Sequence, residues 1–125
     1  MGQLDGKIAL VTGAGQGVGQ GIAFALSAEG AALAITGRTL SKLETTVKAI
    51  EERGGKAIAI ACDVKSEDSL SSMVDEVVER LGTIDILVNN AQEVPLGPLN
   101  HVTDESFTAG FESGPLATFR LMKLC

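Results

Sequence analysis

The stretch that decides the fold is Thr12-Gly13-Ala14-Gly15-Gln16-Gly17-Val18-Gly19. It follows the apolar, β-branched-rich run 7–12 (KIALVT), which reads as a buried strand. It opens the segment 17–29, where Val18, Ile22, Ala25 and Leu26 recur at helical spacing and Gly30 ends the pattern. A helix N-terminus presents unpaired N–H groups and a partial positive charge. Glycines there allow a tight turn and close approach of an anion such as a pyrophosphate to the backbone. The spacing is T-G-x-x-x-G-x-G, not the commoner G-x-G-x-x-G, and Thr12, Gly13, Gly17 and Gly19 meet it. A glycine-rich turn without a ligand is the plainer alternative. A P-loop is excluded, because no Gly-Lys-Ser/Thr follows. A methyltransferase loop stays open, although such loops usually want an acid at the end of the second strand. Gly37 and Arg38 stand there.

Working outward, the same alternation repeats. Residues 31–36 form a second apolar run. Residues 41–53 place Leu43, Val47 and Ile50 on one helical face before Gly54-Gly55. A third strand is expected over 56–62. Ser66 is a suitable N-cap, with Glu67 and Asp68 in the first turn and an apolar stripe of Leu70, Met73, Val74, Val77, Val78 and Leu81. A fourth strand is expected over 84–88, then a loop with Pro95, Gly97 and Pro98. A last helix starts near Thr103, with an interruption expected at Gly114-Pro115. The order βαβαβαβα, with strands that lack polar alternation, predicts an α/β fold. Its core is a doubly wound parallel sheet, a Rossmann fold, of strand order 3-2-1-4.

Composition bounds the rest. The chain has 125 residues, 45 % apolar and 21 % charged, which suits one small globular unit. Its net charge of −6 argues against a nucleic-acid partner. Two cysteines, Cys62 and Cys125, lie far apart without metal-ligand spacing, so reduced thiols and no metal site are expected. No signal peptide or membrane-length apolar run is apparent, so a cytoplasmic protein with no membrane association is expected. There is no Tyr and no Trp.

Four features share one register: the glycine loop, Cys62-Asp63-Val64 after the third strand, the run Ile84-Asp85-Ile86-Leu87-Val88, and Asn89-Asn90-Ala91 behind it. Together they resemble the short-chain dehydrogenase/reductase family, from Gly6 to about Met122. The resemblance implies that Gly13, Gln16, Gly17, Val18 and Gly19 line the pyrophosphate and ribose of a nicotinamide dinucleotide. It implies that Asp63 accepts a hydrogen bond from the adenine amino group beside Val64. Asn90 and Ala91 would lie along the nicotinamide-side ribose, with Asn89 and Asp85 mainly structural. An acid at the end of the second strand would hold the adenosine ribose hydroxyls and repel a 2′-phosphate. Gly37 occupies that place and Arg38 follows, so NADP(H) is favoured over NAD(H). Gln16 is the counterweight, where many NADP-preferring relatives carry a second cation.

The sequence also departs from the family. Gln92 stands where the family has Gly after Asn-Asn-Ala, and Gly114-Pro115 falls where it has an Asn in its fourth long helix. The family's Tyr-x-x-x-Lys acid/base is not present, and every Ser precedes the position of the catalytic Ser. No residue is therefore assigned a catalytic role. The apolar helical pattern 116–125 stops without a cap, and the fourth strand lacks an outer partner. The expectation is the N-terminal portion, residues 1–125, of a longer fold truncated after the fourth strand and its helix. For the parent, the resemblance implies hydride transfer between nicotinamide and a small-molecule carbonyl or alcohol, in a homodimer or tetramer. The alternative is a non-catalytic dinucleotide-binding or interaction module. His101 is expected at the surface and Cys62 in the core.

Overall fold

The computed structural model describes residues 2–125. Four parallel strands form one sheet in the order β3-β2-β1-β4. They are β1 (Ile8–Thr12), β2 (Ala32–Gly37), β3 (Ala57–Ala61) and β4 (Ile86–Val88). Three long helices connect them: α1 (Gly17–Ala28), α2 (Leu40–Glu52) and α3 (Glu67–Leu81). After β4 come a 3-10 turn (Leu99–His101), α4 (Asp104–Phe111), a π-helical turn (Glu112–Leu116) and α5 (Ala117–Leu124). Among the described residues, no helix is long and apolar enough to cross a membrane.

The strands are apolar on both sides because both sides are covered. Leu10, Ala34 and Ile60 face Leu70, Met73, Val74 and Val77 of α3 and Ala117 and Leu121 of α5. Ala9, Val11, Leu33 and Ile35 face Ala23 of α1 and Leu43 and Ile50 of α2. Each fully buried Leu or Ile contributes roughly 1.5–3 kcal/mol relative to exposure. The crossover helices therefore bind the sheet through its strongest term.

Local signals are met where they were strongest. Ser66 Oγ accepts the Ser69 N–H at 3.2 Å, Glu67 and Asp68 occupy the first turn of α3, and Gly82 ends it at φ 102°. Thr103 caps α4 with Ser106 in a reciprocal capping box. Asp85 precedes β4 and completes its pairing: its N–H donates to Ile8 O at 2.8 Å, and its Oδ2 accepts the Ile8 N–H at 2.9 Å.

Two expectations are corrected. Val18 and Ala25 were placed on the core stripe of α1, yet Val18 is 74 % exposed and Ala25 points outward. The inner face is Gly19, Ile22, Ala23 and Leu26, and the first turn of α1 lies too close to the Gly13 carbonyl and to Asn90 for anything larger than Gly19. Val78 likewise sits at the solvent edge of α3. The interruption expected at Gly114-Pro115 is present, and it takes the form of the π-helical turn between α4 and α5. In an α-helical ladder residue 115 would donate to Phe111 O, and proline has no N–H to give. The chain instead widens by one residue: Ala117 N–H reaches back to Glu112 O. The π-helical turn skips the missing donor and makes room for the ring.

Candidate functional site

The cleft lies beyond the C-terminal ends of the strands, where the connection from β1 runs to one side and that from β4 to the other. Open parallel sheets bind ligands at such a switch point. Its volume is about 380 Å³, within the range of small-molecule sites. Gly13, Gln16, Gly17, Arg38, Asp63, Val64, Asn90 and Ala91 all line it. The structure thus brings together eight expected site residues drawn from four separate loops.

The other two lie elsewhere. Gly19 is buried behind the cleft, where a Cβ would meet Gly13 O at 2.2 Å and Asn90 Nδ2 at 2.4 Å. The missing side chain lets the first turn of α1 lie close against both. Val18 points to solvent from the first turn of α1.

Two glycines of the loop are required by backbone conformation. Gly13 (φ 65°) and Gly17 (φ 60°) are left-handed, and a Cβ on Gly17 would meet nothing within 4 Å. The loop is held from beneath. Ala14 N–H donates to Thr36 O at 3.2 Å, and the buried Thr46 hydroxyl lies 3.2 Å from Ala14 O and 3.3 Å from Lys42 O. From the β4 side, Asn90 Nδ2 donates to Gly13 O at 3.1 Å.

Thr12 is the junction. Its Oγ1 accepts the N–H groups of Asn90 (3.0 Å) and Ala91 (2.9 Å) and donates to Val88 O (3.4 Å). One buried hydroxyl therefore locks the end of β1 to the loop after β4. Sequence reading placed Thr12 in the motif but gave it no such role.

The start of α1 fits an anion. Its N-cap, Gln16, gives no side-chain cap, and no acid lies in the first turn. The N-termini of α3 and α4 carry both. Gln16 Oε1 instead accepts from Lys42 Nζ at 2.9 Å. A glycine cradle at an uncapped helix start thus offers donors, and Lys42 stands beside it with a positive charge.

Asp63 is fixed by its own turn: its Oδ1 accepts the Lys65 N–H at 3.0 Å, and its N–H donates to Ser69 Oγ at 3.0 Å. Cys62 beside it is buried, and burial pushes its thiol above the ordinary range, partly offset by the Ser69 hydroxyl. Arg38, 67 % exposed, pairs with Glu93 at 3.0 Å, and Lys65 pairs with the same carboxylate at 2.8 Å. The Glu93 contact raises the Lys65 pKa.

Lys65, Lys42 and Ser113 escaped sequence reading as site residues. Their signal is spatial only, since each comes from a different loop or helix. The two departures, Gln92 and Gly114, turn out to touch. A Cβ at 114 would lie 2.9 Å from Gln92 Nε2, so the longer side chain at 92 takes the space that the missing side chain at 114 leaves. His101 is exposed, as expected.

Comparison with known proteins agrees with this arrangement. The family model described as short chain dehydrogenase matches residues 7–125. A 12alpha-hydroxysteroid dehydrogenase from Clostridium sp. is 41 % identical over 133 residues, covering 100 % of this chain and 51 % of that protein. The solved structure of a 7 alpha-hydroxysteroid dehydrogenase complexed with NADH and 7-oxo glycochenodeoxycholic acid superposes with a TM-score of 0.91 at 36 % identity. It covers 97 % of this chain and 47 % of that one. A metagenomic short-chain oxidoreductase in complex with NADP superposes at 0.86 with 31 % identity, covering 97 % and 55 %. The chain spans about half the length of these relatives. By sequence and by fold, it belongs to the short-chain dehydrogenase family.

Proposed function

We propose that this chain is the cofactor-binding portion of an NAD(P)-dependent oxidoreductase that acts on a small carbonyl or alcohol. The observation that carries the reading is the convergence of Gly13, Gln16, Gly17, Asp63, Asn90 and Ala91 on one cleft at an uncapped helix start. In this reading the N–H groups at the start of α1 and Lys42 hold the pyrophosphate. Asp63 and Val64 receive the adenine, and Asn90 with Ala91 borders the second ribose. When bound, the nicotinamide supplies the hydride-carrying chemistry; the residues here bind and orient it. Solved relatives in complex with NADH and with NADP support a nicotinamide dinucleotide in general.

Within that reading the preferred cofactor is NADP(H). Gly37 offers no carboxylate to a ribose, and Arg38 lies on the cleft wall. Calorimetric titration tests this. NADP⁺ should bind more tightly than NAD⁺, and Arg38→Asp should remove the difference, a loss of about tenfold or more in the ratio. Equal affinities for the two in the unaltered chain would overturn the preference. A homo-oligomer through α4 and α5 is part of the proposal, supported by the exposure of Phe111, Phe119 and Met122.

A second reading, a binding module without turnover, is favoured by the departures at Gln92 and Gly114 beside the cleft. A change in nicotinamide absorbance on adding an alcohol to the NADP⁺-loaded chain would sink that second reading.

A further inference from the structure

Glu93 is an acidic side chain held between two walls of the cleft. Its Oε1 is 3.0 Å from Arg38 Nη1, which comes from the end of β2. The same oxygen is 2.8 Å from Lys65 Nζ, which comes from the loop between β3 and α3. Its backbone N–H donates to Ser113 Oγ at 2.7 Å, so main chain and side chain are both anchored. Two cations thus share one carboxylate oxygen, and the Asp63 carboxylate adds a second, weaker attraction on Lys65. Both nitrogens lie within hydrogen-bond reach of a single atom. They are therefore close enough to be bridged by two oxygens of one phosphate. The Glu93 contact also favours the charged form of Lys65.

We propose that Lys65 is a second specificity-determining cation beside Arg38, and that Glu93 is its built-in competitor, displaced when a ribose phosphate arrives. This rests on the reading of Arg38 given above. The physical case is one of exchange. A carboxylate brings one negative charge and here uses one oxygen. A phosphate monoester brings −1.5 to −2 and three acceptor oxygens. Glu93 is 32 % exposed and Lys65 28 %, so the carboxylate can turn to water without leaving a buried charge unpaired. A bare ribose hydroxyl has no charge with which to displace it. Glu93 therefore weakens binding of the phosphorylated ligand while the two cations keep it selective. With the pair satisfied by Glu93, the cleft also stays closed to weaker anions.

The probes are adenosine 2′,5′-bisphosphate and 5′-AMP, which differ only at the position in question. Each is titrated calorimetrically into the chain and into Glu93→Gln, Lys65→Met and Arg38→Asp, with circular dichroism to confirm folding. Glu93→Gln should tighten the bisphosphate about three- to tenfold and leave 5′-AMP unchanged. Lys65→Met should weaken the bisphosphate about tenfold, again sparing 5′-AMP. If the unaltered chain prefers the bisphosphate and only Arg38→Asp moves that preference, Arg38 acts alone; the inference fails and the cofactor reading stands. Weaker 5′-AMP binding by Glu93→Gln would overturn it differently, by showing Glu93 to be an acceptor for ribose hydroxyls. Equal binding of the two probes by the unaltered chain would take down both the inference and the NADP preference.

Discussion

Thr12 and Thr36 face each other in register on β1 and β2, and both are fully buried. They differ in what their hydroxyls touch. Thr12 Oγ1 accepts two N–H groups and donates to a carbonyl, whereas Thr36 Oγ1 has no partner among the described residues. A buried group without its partner costs about 1–3 kcal/mol, and one with partners contributes about 1 kcal/mol. The same substitution should therefore have opposite signs at the two sites. Thr12→Val strands the Asn90 and Ala91 amides and should cost about 2 kcal/mol. Thr36→Val removes an orphaned hydroxyl and should gain about 1 kcal/mol. Urea midpoints at constant m-value measure both; a loss of stability at Thr36 would show that its hydroxyl is satisfied in solution. Only Thr12 opens the glycine motif, but nothing in the sequence tells which of the two hydroxyls finds partners. Each ends an apolar strand, and the difference arises because β4, not β3, delivers two free amides beside β1.

At the scale of elements, strongly periodic pieces were legible and compensated ones were not. The stripe and cap of α3 stand in its own sequence, since Ser66 and the apolar repeat need no distant partner. Pro115 signals a break by the same local rules. The α-helical ladder breaks there, yet the chain stays helical because the π-helical turn shifts the ladder past the proline, and because the turn is clamped from outside. Ser113 Oγ accepts the Glu93 N–H and lies 3.3 Å from Gly110 O. Gln92 lies over Gly114. The turn and the loop after β4 are thus one unit, and Ser113 is its buried pin. Ser113→Ala should free the Glu93 amide, raising its hydrogen-exchange rate about tenfold or more, with a loss of about 1–2 kcal/mol in stability. Unchanged exchange at Glu93 would mean that the loop is held by its ion pairs alone.

For the whole molecule, the strand order was legible because a parallel sheet buries both faces and the glycine loop marks its first crossover. The cleft floor was legible for the same reason: motifs at strand ends converge once the sheet forms. The ion pairs over its mouth were not, since Arg38, Lys65 and Glu93 are brought together only by three loops of unrelated sequence. The same convergence places Cys62 in the α3-side core, against Leu10, Ile60 and Leu70, and couples the fold to alkali. Burial, foremost, and the Asp63 charge raise the Cys62 pKa above its ordinary value of 9.0, with the Ser69 hydroxyl opposing. The unfolded chain ionises this thiol at the ordinary value, while the folded chain resists. Stability is therefore fully present below pH 9.0 and declines as pH rises beyond it. Lys65 acts in the same direction at higher pH. Its pKa lies above 10.5 because of Glu93, so the stability it adds is lost as the ammonium deprotonates. Denaturation midpoints should thus be level near neutrality and fall from about pH 9 upward. Cys62→Ala should flatten the first part of that fall and leave the later part in place. An unaltered alkaline slope in Cys62→Ala would show that the thiol ionises as freely in the folded chain as in the unfolded one.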